Sequence, residues 1–133
     1  MQIHRRNLLQ LALLAPAVLL SARAVAREYF DLGREWRVTE YDPNGRYWEG
    51  VWTRRGDSDT FDAEWRDSET GGVIRDVIEF RKIRHNSVVL YRRGNNGRYF
   101  GELSSDGRRI VRGSASWYGP GYYWNARIRG HRD

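Results

Sequence analysis

Turn chemistry recurs at short, nearly even intervals from Asp42 onward, and it leaves little room for helices. Asp42-Pro43-Asn44-Gly45 is a turn, followed by Arg55-Gly56-Asp57-Ser58 and by a third between Asp67 and Gly72. Lys82 to Asn86 is a looser break. Gly94-Asn95-Asn96-Gly97 and Ser104-Ser105-Asp106-Gly107 carry Asn-Gly and Asp-Gly pairs, which accept positive φ and so close hairpins. Tyr118-Gly119-Pro120-Gly121 is the last. Between the breaks, residues alternate with the period of a strand rather than of a helix. Eight strands are predicted, at 34–41, 46–54, 59–66, 73–81, 87–93, 98–103, 108–117 and 122–129. Each connection is short, so consecutive strands must pair antiparallel. The expected fold is all-β: an eight-stranded antiparallel up-and-down meander that closes into a small β-barrel and thereby removes its exposed edges. A two-sheet sandwich is the alternative. Residues 27–33 are expected to add a short helical turn or a plug.

The first 26 residues have a different character. A basic head, Met1 to Arg6, precedes an apolar run from Leu8 to Leu20, and Ala24-Val25-Ala26 offers the small-x-small exit that a signal peptidase accepts. The run falls short of the ~20 apolar residues a spanning helix needs. Residues 1–26 are therefore read as a cleaved helical signal peptide and 27–133 as one domain. No membrane span is expected in the mature protein. Arg5-Arg6-Asn7-Leu8-Leu9-Gln10 resembles the twin-arginine export motif, with His4 where Ser or Thr is usual. An ordinary secretion signal is the alternative. Either route implies a periplasmic or secreted location.

Export bears on the charge. The chain has a formal net charge of +6, but Arg5, Arg6 and Arg23 lie in the signal, and the remaining charges alternate in sign along the sequence. No basic block is present, so nucleic acid is not an expected partner, whereas weak attraction to anionic envelope polymers or lipid head groups is. Cysteine is absent, which removes disulfides, thiolate metal sites and cysteine nucleophiles. Lys82 is the only lysine, and the chain holds six Trp, eight Tyr and four Phe. Arginine stacks on aromatic faces and grips carboxylates with two hydrogen bonds, so this pairing of residue types is chemically consequential.

Strand phase assigns the core. Phe61, Ala63 and Trp65 alternate with Asp62 and Glu64 and are expected to face inward. Trp124, Ala126 and Ile128 form a second inward set. Ile74, Ile78 and Phe80 form a third that carries Asp76 in phase, and Val88 and Leu90 a fourth that carries Arg92. Inward Asp76 and Arg92 need partners, because an unpaired buried charge costs several kcal/mol. They either pair at a rim or line a ligand cavity. One strand is ambiguous: Trp48, Gly50 and Trp52 share one face, Tyr47, Glu49, Val51 and Thr53 the other. There is also an internal echo, in which Asn44-Gly45-Arg46-Tyr47 recurs as Asn96-Gly97-Arg98-Tyr99 and continues to align Ala63 with Ala115 and Trp65 with Trp117. It suggests a duplicated four-strand unit, or convergence of turn and strand chemistry. By the echo, Gly113, Ala115 and Trp117 face inward.

The stretch from Trp52 to Trp65, read as W-T-R-R-G-x-S-x-x-F-D-A-x-W, resembles a motif of small secreted bacterial proteins, and Gly97 to Gly107 loosely matches their second half. The resemblance implies export and a compact β-barrel and brings no activity. In architecture alone, an eight-strand meander with tryptophans near the strand ends is similar to the avidin and lipocalin barrels. No binding residue of those families carries over.

Chemical signatures are sparse. His85 and His131 have no ligand spacing between them, and Asp57-Ser58-Asp59 lacks the glycine and closing glutamate of a calcium loop, so neither a metal nor another cofactor is expected. No Gly-x-Ser-x-Gly elbow exists. Asp62 and Glu64 share one strand face, where solvation explains them, although a weak hydrolase remains an alternative. Binding is the leading expectation: a non-catalytic barrel holding a small amphipathic molecule or an envelope component at its mouth. Trp48, Trp52, Tyr91, Arg92, Tyr99, Trp124 and Asp76 are the candidate contacts, with Trp65 and Trp117 assigned to the core. An interaction module for protein or polysaccharide, using an exposed aromatic and arginine face at Trp48 and Trp52, is the alternative.

Overall fold

The computed structural model describes residues 31–132, and the signal-peptide reading of residues 1–26 lies outside them. Eight strands follow one another: β1 (Glu35–Tyr41), β2 (Tyr47–Arg54), β3 (Thr60–Asp67), β4 (Val73–Arg84), β5 (Ser87–Arg92), β6 (Gly97–Glu102), β7 (Arg109–Ala115) and β8 (Tyr123–Arg129). Each pairs antiparallel with the next, and β1 pairs with β8, so the meander closes into a barrel rather than splitting into a sandwich. The turns fall where glycine and asparagine permit them, with Gly45, Gly56, Gly71, Asn96 and Gly107 all at positive φ.

Two strands carry one residue more than the sequence pattern implies. β4 shifts register between Phe80 and Lys82, and β7 between Ile110 and Gly113. In β7 the extra residue is absorbed by Arg112, at φ 53°, whose N–H donates to Asn125 Oδ1 at 2.7 Å. The bulge lets Ile110 and Gly113, three positions apart, both face the core.

The two ends of the barrel differ. One end is covered by the segment leading into β1: Leu32 is buried, and its carbonyl accepts from Trp36 Nε1 at 2.7 Å. Here Arg34 ties the edges together, its N–H donating to Arg129 O and its carbonyl accepting from Arg54 N–H. The opposite end, the mouth, is formed by the β1–β2, β3–β4, β5–β6 and β7–β8 connections.

Between the ends the interior is filled by aromatic rings. Trp52 is fully buried and packs against Trp36, Trp65, Tyr99 and Trp124, with centroids 5.1 to 6.1 Å away. Space for indoles this large comes from glycines on facing strands. A Cβ on Gly113 would lie 2.4 Å from Trp124 Nε1, and one on Gly50 would lie 2.7 Å from Trp65 Cδ1. Trp124 Nε1 uses the gap to donate to Ser114 O at 2.8 Å.

The internal echo is not a structural repeat. Tyr47 faces outward while its counterpart Tyr99 is fully buried. Ala63 opposes Trp52, whereas Ala115 opposes Tyr99. The aligned residues of β2 and β6 thus point to opposite sides, and a one-residue slip of this kind reverses every side chain.

Gly113→Ala is expected to lower stability by about 1–3 kcal/mol, since the new methyl meets both the Trp124 ring and the Phe100 carbonyl and neither can yield freely. Urea unfolding should show a lower midpoint; an unchanged midpoint would mean the Trp124 ring repacks at no cost.

Candidate functional site

Filling stops short of the mouth, where a cavity of about 550 Å³ opens. Its wall is aromatic and comes from the strand ends and the β7–β8 loop: Trp48, Trp65, Trp117, Tyr118 and Tyr122, with Ile74 and Gly119. Glu40 and Arg92 supply the polar groups. Glu40 reaches this position because β1 alternates Trp36, Val38 and Glu40 toward the interior.

Glu40 is buried, with 9% of the residue exposed. It accepts from Tyr99 Oη at 2.9 Å and from Tyr118 Oη at 2.5 Å. Burial pushes its carboxyl above the ordinary 4.5; the Tyr118 and Tyr99 hydroxyls, the Arg92 charge and the Trp65 indole N–H pull the other way without cancelling it. The Trp65 N–H makes no geometrically complete hydrogen bond, so its help is weaker than that of the two tyrosines. Burial and the adjacent Glu40 charge raise both phenols, and both remain protonated donors.

Arg92 lies between two indoles, 4.5 Å from the Trp65 centroid and 5.5 Å from that of Trp117. Its Nε donates to Asp76 Oδ2 at 2.8 Å. Asp76 also accepts from the backbone N–H of Val77 and Gly94, at 2.7 and 2.8 Å. Burial opposes ionisation of both partners, but the hydrogen bonds outweigh it: Asp76 sits below its usual range and Arg92 above its own. Gly94 is required by close approach, because a Cβ there would lie 2.3 Å from Asp76 Oδ2.

The candidate residues separate into groups. Trp48 and Arg92 line the cavity, and Asp76 anchors Arg92 from behind. Tyr99 lies beneath as the support of Glu40. Trp52 and Trp124 are interior and fully buried, below the cavity. Tyr91 belongs to the outer surface: its hydroxyl bonds Asn96 and Arg81 stacks on its ring at 4.8 Å. Asp76 and Arg92 pair with each other, and of the two only Arg92 lines the mouth cavity. Trp117 corrects its core assignment. β7 ends at Ala115, so Trp117 lies beyond the ladder, 38% exposed, folded over Gly97 where a Cβ would be 2.4 Å away. Ile74 keeps the inward phase yet stands at the rim, 49% exposed. Glu40, Tyr118 and Tyr122 were not singled out in the sequence, although inward alternation from Trp36 points to the first.

Asp62 and Glu64 line a different hollow, on the outer face of β2 to β4. Arg55 holds Asp62 at 2.7 Å and Arg75 holds Glu64 at 3.3 Å. Arg55 also holds the Asp62 carboxyl below its ordinary range, the opposite of what a general acid needs. Asp57 is bound by Arg132 and Arg34, at 2.8 and 3.4 Å. Compared with protein-family models, with curated proteins and with solved structures, the chain matches none.

Because the folded-state value of Glu40 lies above 4.5, the folded protein holds that proton more tightly than the unfolded chain. The contribution is fully present below about pH 4.5 and is lost as pH rises through the raised value. Glu40→Gln keeps the hydrogen-bonding shape without the charge. In thermal melts its Tm should converge with that of the parent below pH 4.5 and exceed it increasingly above. A difference that stays constant between acid and neutral pH would show that the buried charge is not destabilising.

Proposed function

We propose that the protein is exported, that the signal is removed after Ala26, and that the barrel acts without catalysis, holding a small amphipathic molecule or part of an envelope component at its mouth. The mouth cavity carries this reading. Its volume lies in the range of small-molecule sites, and its composition, a mostly aromatic wall with a few fixed polar groups, is that of such sites. The polar groups sit deep, and Ile74, Trp117 and Tyr122 form a partly exposed rim. A ligand with a polar head and an apolar body matches that gradient. The groups are also preorganised, since Asp76 and the two flanking indoles hold Arg92 in place, which reduces the ordering cost of binding.

An outer aromatic face built on Trp48 and Trp52 has less support, because Trp52 is enclosed and Trp48 is half-buried at the mouth.

1-Anilinonaphthalene-8-sulfonate, an amphipathic aromatic anion, tests the site. Its fluorescence should rise on adding the purified protein, with affinity reduced several-fold in Trp117→Ala, in line with ~1 kcal/mol for one lost aromatic contact. Tyr91→Ala, on the outer surface, should bind as the parent does. Equal binding by the Trp117 variant at unchanged Tm would place the probe elsewhere and remove the proposal. For export, N-terminal sequencing of protein recovered outside the cytoplasm is expected to begin at Arg27.

A further inference from the structure

On the outer face of β7, β8 and β1, three arginines stand on one rung. Arg37 opposes Arg127, and Arg127 opposes Arg109. All three are exposed. Strands lie ~4.8 Å apart, so the rung sets three like charges across about 10 Å. Like charges directly opposite one another destabilise a sheet. Little nearby relieves them. Arg37 bonds Glu35 at 2.9 Å, and Asp106 lies near Arg109 and Arg108. Arg109, Arg127 and the neighbouring Arg129 make no ion pair among the described residues. Arg112 adds a further positive charge on the same face, stacked 5.0 Å over Tyr123.

We infer that this face docks on an anionic phospholipid surface. A small anion would meet one or two of these arginines, whereas a charged plane meets all of them. The same face also carries tyrosines nearer the mouth. Tyr47, Tyr41 and Tyr123 are direct cross-strand neighbours on a single rung, pointing outward. Their rings lie against one another, with centroids 6.2 and 4.7 Å apart. Tyrosine, with an apolar body and a polar tip, favours the zone between head groups and acyl chains. A row of tyrosines beside a row of arginines is the pattern of a face that lies on a membrane without crossing it. A second copy of the chain would bring the same positive rung against the first.

Sedimentation with vesicles tests the assignment. The mature protein, beginning at Arg27, should bind phosphatidylcholine vesicles containing phosphatidylglycerol in preference to phosphatidylcholine alone, and added salt should weaken the preference. Arg109→Gln combined with Arg127→Gln, in the same chain, should lower binding to the anionic vesicles on the order of tenfold. Removing the repulsion should also raise the low-salt Tm of that variant, which separates lost binding from lost folding. Undiminished sedimentation of the variant overturns the inference. So does binding of soluble polyphosphate through these arginines while the vesicles are ignored, which would assign the face to a free polyanion.

Discussion

The barrel is organised around the Trp52 indole. It contacts the rings of Trp36, Trp65, Tyr99 and Trp124, which come from four other strands, so one side chain from β2 is the common neighbour of β1, β3, β6 and β8. Eight strands enclose an interior just wide enough for side chains to fill it. Here the fill is indole, and it works only because Gly50 and Gly113 withdraw their own side chains where rings pass. The arrangement has a cost. Trp52 Nε1 is buried without a hydrogen-bond partner, leaving only the surrounding ring faces to compensate it. Filling the waist this tightly is also what confines the cavity to the mouth.

The floor of that cavity joins two charge systems of opposite character, one part-buried and one buried. Asp76 and Arg92 neutralise each other and are satisfied by backbone N–H groups and indole faces. Glu40 has donors but no adjacent cation within ion-pair distance among the described residues, and its carboxyl is the one displaced toward neutrality. The first system is therefore a fixed structural element. The second takes up a proton more readily than a free carboxylate does, because burial raises its carboxyl.

Turn residues reveal themselves in a sequence because their φ requirements are local, and alternation reveals a strand's inner face for the same reason. The eight strands and the burial of Phe61, Trp65, Leu90 and Ile128 were legible on that basis. Glu40 was legible in principle, since only the phase beginning at Trp36 is needed to turn it inward. Features that depend on two strands at once were not. The bulge at Arg112, the pairing of Ala63 with Trp52 rather than with Tyr47, and the arginine rung are properties of register, and no single strand encodes register visibly. The rung is the clearest case. Arg37, Arg109 and Arg127 are scattered among acids along the chain and become a positive patch only when β8 lies between β7 and β1. Trp117 departs from its core assignment for a similar reason, because β7 stops at Ala115 and the alternation that points inward does not continue beyond it.

Closure by β1 against β8 also governs the order of events during folding. The pairing of Glu35 with Arg129 joins residues separated by nearly the whole described chain, the largest loop-closure entropy any pair here must overcome. Every other strand finds its partner across a tight turn. A chain can therefore zip six hairpins in succession and still present two bare strand edges, one on β1 and one on β7, until β8 pairs with both. Before that moment the molecule is a curled sheet open to pairing with other chains; afterwards it has no edge at all.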